Sequence, residues 1–152
     1  MNNDLNSIKD RIAKETVSLS THLLSQADEY LSSFNSKELL SFSSANNKTK
    51  IKKYEEKYFL FLSNIAPIIS ALTELNADLA SLLIEADRSM EIELIVICEK
   101  RFNAFEEFEK ALYNYTSSVE NEIMNAKITA NFLINASQKF KFAINELIKE
   151  NL

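Results

Sequence analysis

Apolar positions recur every three or four residues along almost the whole chain, which is the period of a helix face. In the first segment Leu5, Ile8, Ile12, Leu19, Leu23, Ala27, Tyr30 and Phe34 keep this spacing, with Thr16 and Gln26 filling steps. Lys9, Lys14, Glu15, Asp28 and Glu29 fall on the opposite side, the solvated one. The pattern predicts a helix from Asp4 to Phe34. Residues 35–47 then break the period with a run rich in Ser and Asn, side chains that compete for backbone hydrogen bonds and favour turns. Asn35 with Glu38 has the form of a capping box, and a short helical turn is expected over Lys37–Phe42.

A second face starts near Lys48 with Ile51, Tyr54, Tyr58, Leu62 and Ile65. Pro67 interrupts it, and the face resumes in phase at Ile68 or Ile69, Leu72, Leu75, Leu79, Leu82 and Ala86. A retained phase predicts a kink at Pro67 and no turn. Asp87-Arg88-Ser89 is the expected tight turn. A third helix is expected from Met90 to Asn114, with Leu94, Ile97, Phe105, Phe108 and Leu112 facing in and Arg101 as a blemish on that face. Tyr113-Asn114-Tyr115-Thr116 combines weak helix formers, and Ser117 with Glu120 reads as a second capping box. A last helix follows through Val119, Ile123, Ala126, Ala130, Leu133, Ala136, Phe140, Ile144 and Leu147.

Helices of roughly 30, 38, 25 and 33 residues match well enough to pack up-down-up-down. The expected fold is therefore all-α: one domain over residues 1–152, an antiparallel bundle of about four long amphipathic helices. Composition sharpens this. The 152 residues include no glycine and one proline. Tight hairpins, β-bulges and phosphate-cradling loops lean on glycine, so a β-barrel, a Rossmann domain and a P-loop are all disfavoured. The 46% hydrophobic and 26% charged content suits a folded domain.

Net charge is −5, which gives no electrostatic footprint for nucleic acid. Cys98 is the sole cysteine, so no internal disulfide is available. The start, MNNDLNSIKDR, has no apolar leader, and no charge-free apolar run reaches the roughly 20 residues of a membrane span. A soluble, cytoplasmic protein is expected.

Reaction chemistry is sparse. His22 and Cys98 are the whole His/Cys inventory, too few for a zinc site. As a nucleophilic pair they are outweighed by a simpler reading, in which Cys98 follows Ile95-Val96-Ile97 as a small buried residue. Carboxylates crowd the stretch 74–109, but no Glu-x-x-His motif accompanies them, which argues against a di-iron bundle. Glu106 with Glu109 has the i, i+3 spacing that a carboxylate-only, metal-dependent hydrolase would use, and a solvated acidic face explains it more simply. Lys48, Lys50, Lys52, Lys53 and Lys57 lie near Tyr54, Tyr58 and Phe59, a pattern that suits an anionic surface, although Glu55 and Glu56 interleave. No cofactor, metal or small-molecule substrate is expected.

Two stretches are more apolar than a surface helix needs. Tyr58–Thr73 reads YFLFLSNIAPIISALT without a charge, and Ile92–Cys98 reads IELIVIC. Simple burial is one explanation, and an interaction surface is the other. The candidate surface comprises Tyr58, Phe59, Phe61, Leu62, Ile65, Ile68, Ile69, Ile92, Leu94, Ile95 and Phe102, with Glu91, Glu93 and Glu106 as its acidic component. The expected function is non-enzymatic: an adaptor, chaperone, inhibitor or immunity-type bundle that binds another protein or itself. The alternative is a membrane- or apolar-surface-active protein using residues 58–72 and 92–98, and the third reading is the carboxylate-based hydrolase.

Overall fold

The computed structural model describes residues 2–34, 48–125 and 128–152. They form four helices: α1 (Asn2–Ser32), α2 (Lys48–Arg88), α3 (Ile92–Met124) and α4 (Ala130–Glu150). Each packs on two others, α1 and α3 both touching α2 and α4. Contacts fix the antiparallel sense. Arg11 near the start of α1 pairs with Asp78 late in α2, while Tyr30 at the end of α1 stacks on Phe61 early in α2. Arg101 early in α3 reaches Glu150 at the end of α4. The result is the up-down-up-down four-helix bundle that the periodicity predicts.

The core repeats that periodicity. On α1 the buried line is Ile12, Thr16, Ser20, Leu23, Ala27 and Tyr30, and Phe34 just past the helix end continues it. It passes through Ser20 where the apolar spacing suggested Leu19, which is only half-buried, and Ile8 stays exposed. Thr16 satisfies its hydroxyl by donating to the Ile12 carbonyl at 2.7 Å. At the far end of the bundle an aromatic cluster ties all four helices together. Tyr30 stacks on Phe61 at 4.5 Å, Phe61 meets Tyr115 edge-on at 6.3 Å, and Tyr115 stacks on Phe140 at 4.9 Å. Lys57 closes the end of α1: it donates to the Ser33 carbonyl at 2.7 Å and lies 4.5 Å over the Phe34 ring. A cation at a helix C-terminus meets both the free carbonyls and the negative end of the dipole.

α2 runs 41 residues without a break at Pro67, so the expected turn-free passage holds there. Proline removes the hydrogen bond to the carbonyl four residues back, here Ser63. Both Ser63 and Pro67 face solvent, so water can serve that carbonyl and the helix continues. α2 ends in a Schellman motif. Met90 takes φ 55°, its N–H donates to the Asp87 carbonyl, and the Glu91 N–H donates to the Ala86 carbonyl. With no glycine in the chain, a methionine occupies the left-handed position. The turn thus falls at Ser89–Glu91, close to the expected Asp87–Ser89.

The third connection differs from expectation. α3 does not stop at Asn114 but runs 33 residues to Met124, and α4 is correspondingly short, 21 residues. The buried face carries straight across the supposed break, through Phe108, Tyr115 and Val119. Core packing of two large side chains outweighs the weak propensity of Tyr113–Thr116. Ser117 and Glu120 lie exposed in mid-helix, so they form no N-terminal box there. The true start of α4 is capped by Thr129, whose hydroxyl accepts from the Phe132 N–H at 3.1 Å. The expected Asn35–Glu38 box and the Lys37–Phe42 turn lie outside the described residues.

Candidate interaction surface

Burial divides the sequence-derived candidates. Tyr58, Phe61, Ile65, Ile68 and Leu94 are core residues, at most 5% exposed, and contribute no outer surface. They belong to the inward stripe of their helices, so the apolar stretches are partly explained by burial alone. Leu62, Ile69, Ile95 and Phe102 are half-buried against the core. Phe59 and Ile92 are exposed, at 52% and 70%. Glu93 and Glu106 face solvent and Glu91 is half-buried.

The half-buried residues are not scattered. Leu62 and Ile69 sit on the flank of α2 that meets α3, and between these two helices lies an open groove of about 660 Å³. Its floor is Ile65, Leu72, Phe105 and Phe108. Its α2 wall is Leu62, Ala66, Ile69, Ser70 and Thr73, and its α3 wall is Glu109, Leu112, Tyr113 and Thr116. The groove exists because α2 offers small side chains there: Ala66, Ser70 and Thr73 do not fill the space over the seam. Thr73 and Thr116 turn their hydroxyls back onto the Ile69 and Leu112 carbonyls, so neither hydroxyl is left to seek a partner in the groove. Glu109 is the only charged lining residue.

Helical phase extends this face toward the α2–α3 turn. Ile95 and Phe102 project from the same flank of α3, and Ile92 and Val96 follow at i, i+4 along its outer side. Ile84, Met90, Ile92 and Val96 are all exposed at that tip. Two other hollows are more polar. The one between α3 and α4 is lined by Asn114, Ser118, Asn135 and Lys139 among others, and the one between α1 and α2 includes Gln26, Glu29, Lys57 and Asn64.

On the α3 wall Leu112 reads in the sequence as inward-facing and Glu109 as part of a solvated acidic face, and only Thr116 lies beyond the expected helix end at Asn114. The spacing Leu112, Tyr115, Val119 carried the missing signal.

The chemistry-bearing residues are kept apart. Cys98 is fully buried on α3, and burial raises its thiol pKa against the opposing pull of Arg101 and Lys9. His22 is on the exposed side of α1. Glu109 accepts from Asn76 at 3.5 Å, and Glu106 pairs with Lys110 at 3.3 Å. Among the described residues no group of three His, Cys, Asp or Glu side chains is placed to hold a metal ion. Arg101, the expected blemish, donates through Nε to the Glu150 carbonyl at 3.2 Å and so serves the last turn of α4. By length and composition α2 is long and apolar enough to cross a membrane over Ile51–Arg88, and about a third of its most apolar stretch, 33%, is buried inside the bundle.

No protein-family model matches the chain, and neither a curated protein nor a solved structure does. What the fold and the groove define is a class: a glycine-free, antiparallel four-helix bundle with an apolar seam open on one side.

Proposed function

We propose that this protein is a non-enzymatic interaction protein that receives a helical segment of another protein in the α2–α3 groove. One observation carries the reading: an apolar groove of about 660 Å³ with a single charged lining residue, Glu109. A helix laid in a groove uses such a surface, inserting anchors at i, i+3 or i+4 and i+7. Selection from a displayed library of amphipathic helices tests it. Binders should emerge and should lose the protein when Ala66→Trp, an exposed substitution, fills the groove. A selection whose binders ignore Ala66→Trp would place the interface elsewhere.

A second reading has its own support. α2 has the length and composition of a membrane-crossing helix, and Phe59 and Leu60 are exposed beside Lys52 and Lys53. Such a face suits an anionic lipid surface. Co-flotation with anionic vesicles, abolished by Phe59→Ser with Leu60→Ser, is the expected result if it holds. Absence of flotation removes it.

A further inference from the structure

We infer that the helix received by the α2–α3 groove is basic and belongs to a different protein, an inference that rests on the groove reading above. The charge of the molecule is unevenly placed. Residues 74–109, the α2–α3 hairpin, hold ten carboxylates against Arg88, Lys100 and Arg101, a net of −7. The chain totals −5, so everything outside the hairpin nets +2. α2 has no Lys or Arg between Lys57 and Arg88, so its long wall of the groove offers no cation. On α3 Glu109 lines the groove, and Glu106, in an exposed ion pair with Lys110, and Glu99 stand three and ten residues earlier on the same flank. Asp87 and Glu91 border the exposed apolar tip. Glu91 and Glu99 make no ion pair among the described residues, and Asp87 makes none either.

An apolar floor with carboxylates along one rim selects a partner with an apolar stripe and flanking Lys or Arg. The same charge works against a second copy. A two-fold dimer through this face would bring two acidic α2–α3 hairpins together. Length sets the size of the guest. Leu62 to Thr73 spans about 16 Å along α2, which is about three turns of a bound helix and three anchor positions.

Three synthetic helices of one apolar pattern and different flanks, Lys, Gln or Glu, test this with the full chain by fluorescence anisotropy. The Lys-flanked peptide should bind on the order of 10-fold more tightly than the Glu-flanked one, and its advantage should shrink in high salt. Ser70→Trp, at an exposed groove position, should abolish binding of all three. Glu106→Lys with Glu109→Lys should invert the order. If the three peptides bind equally and all are lost in Ser70→Trp, the basic partner is wrong while the groove reading stands. If none binds, or binding survives Ser70→Trp, both fall. A dimer by light scattering that Ser70→Trp dissolves would make a second copy the occupant and overturn the inference.

Discussion

Two side chains sit where the fold would accept something better. Ser20 is fully buried on α1, and its hydroxyl has no hydrogen-bond partner among the described residues. A buried hydroxyl without a partner costs about 1–3 kcal/mol in desolvation. Ser20→Ala removes the polar group and leaves a space smaller than a methyl, so it should stabilise the protein by about 1 kcal/mol, read as a higher urea midpoint at unchanged slope. Met90 is the second. Its φ of 55° places a Cβ where glycine is normally found, at a cost of about 1–2 kcal/mol, and its side chain is 79% exposed and packs on little. Met90→Gly gives up part of that gain to the freer unfolded chain, so a net stabilisation of about 0.5–1 kcal/mol is expected. A lower midpoint in Met90→Gly would mean that the exposed side chain is held by contacts that its exposure does not suggest. Neither residue stands out in the sequence. Ser20 reads as polar surface beside Leu19, and a left-handed methionine has no signature at all.

At the scale of the helices, what was legible and what was not have one cause. Where an apolar face is long and in phase, as from Ile51 to Ala86, its period predicted the helix through a proline. Where local propensity and face disagree, as at Tyr113–Thr116, propensity gave the wrong boundary, because burial of Tyr115 and Val119 decides the outcome. A single substitution separates the two descriptions of α3. At Ser117 a proline would be welcome in the first turn of a new helix but disruptive in the middle of an old one. The side chain is exposed, so only the backbone is tested. Ser117→Pro should cost about 3 kcal/mol, visible as a lower midpoint and reduced helical circular dichroism. A neutral result would restore the break at that position. The groove is legible in the same uneven way: its α2 wall is half visible as Leu62 and Ile69, while on its α3 wall Leu112 reads as inward-facing and Thr116 falls past the expected helix end.

For the molecule as a whole, the aromatic end of the bundle sets a limit on stability in alkali. Four of the five tyrosines, Tyr30, Tyr54, Tyr58 and Tyr115, are buried there on three helices. Burial disfavours a phenolate and raises all four pKa values. Tyr115 is pushed up to about 12 despite a hydrogen bond with Ser137 that pulls the other way, and the other three are raised further, with neighbouring tyrosines or Glu120 adding to the effect. In the unfolded chain each titrates near 10. Between the two values the folded state holds more protons than the unfolded one, so stability falls as pH rises. The contribution is complete below pH about 10 and drains away above it. Each tyrosine so held costs about 1.4 kcal/mol per pH unit, and four together about 5–6 kcal/mol per unit. That is comparable with the whole stability of a small domain. Helical circular dichroism should therefore hold up to pH about 10 and collapse cooperatively within the next one to two units, and the tyrosinate absorbance of these residues should appear with the collapse rather than before it. Tyr54→Phe with Tyr58→Phe should move the transition to higher pH. Gradual tyrosinate formation with the helices intact would mean that this end of the bundle opens to solvent on its own, and the aromatic cluster would then not be the element that unites the four helices.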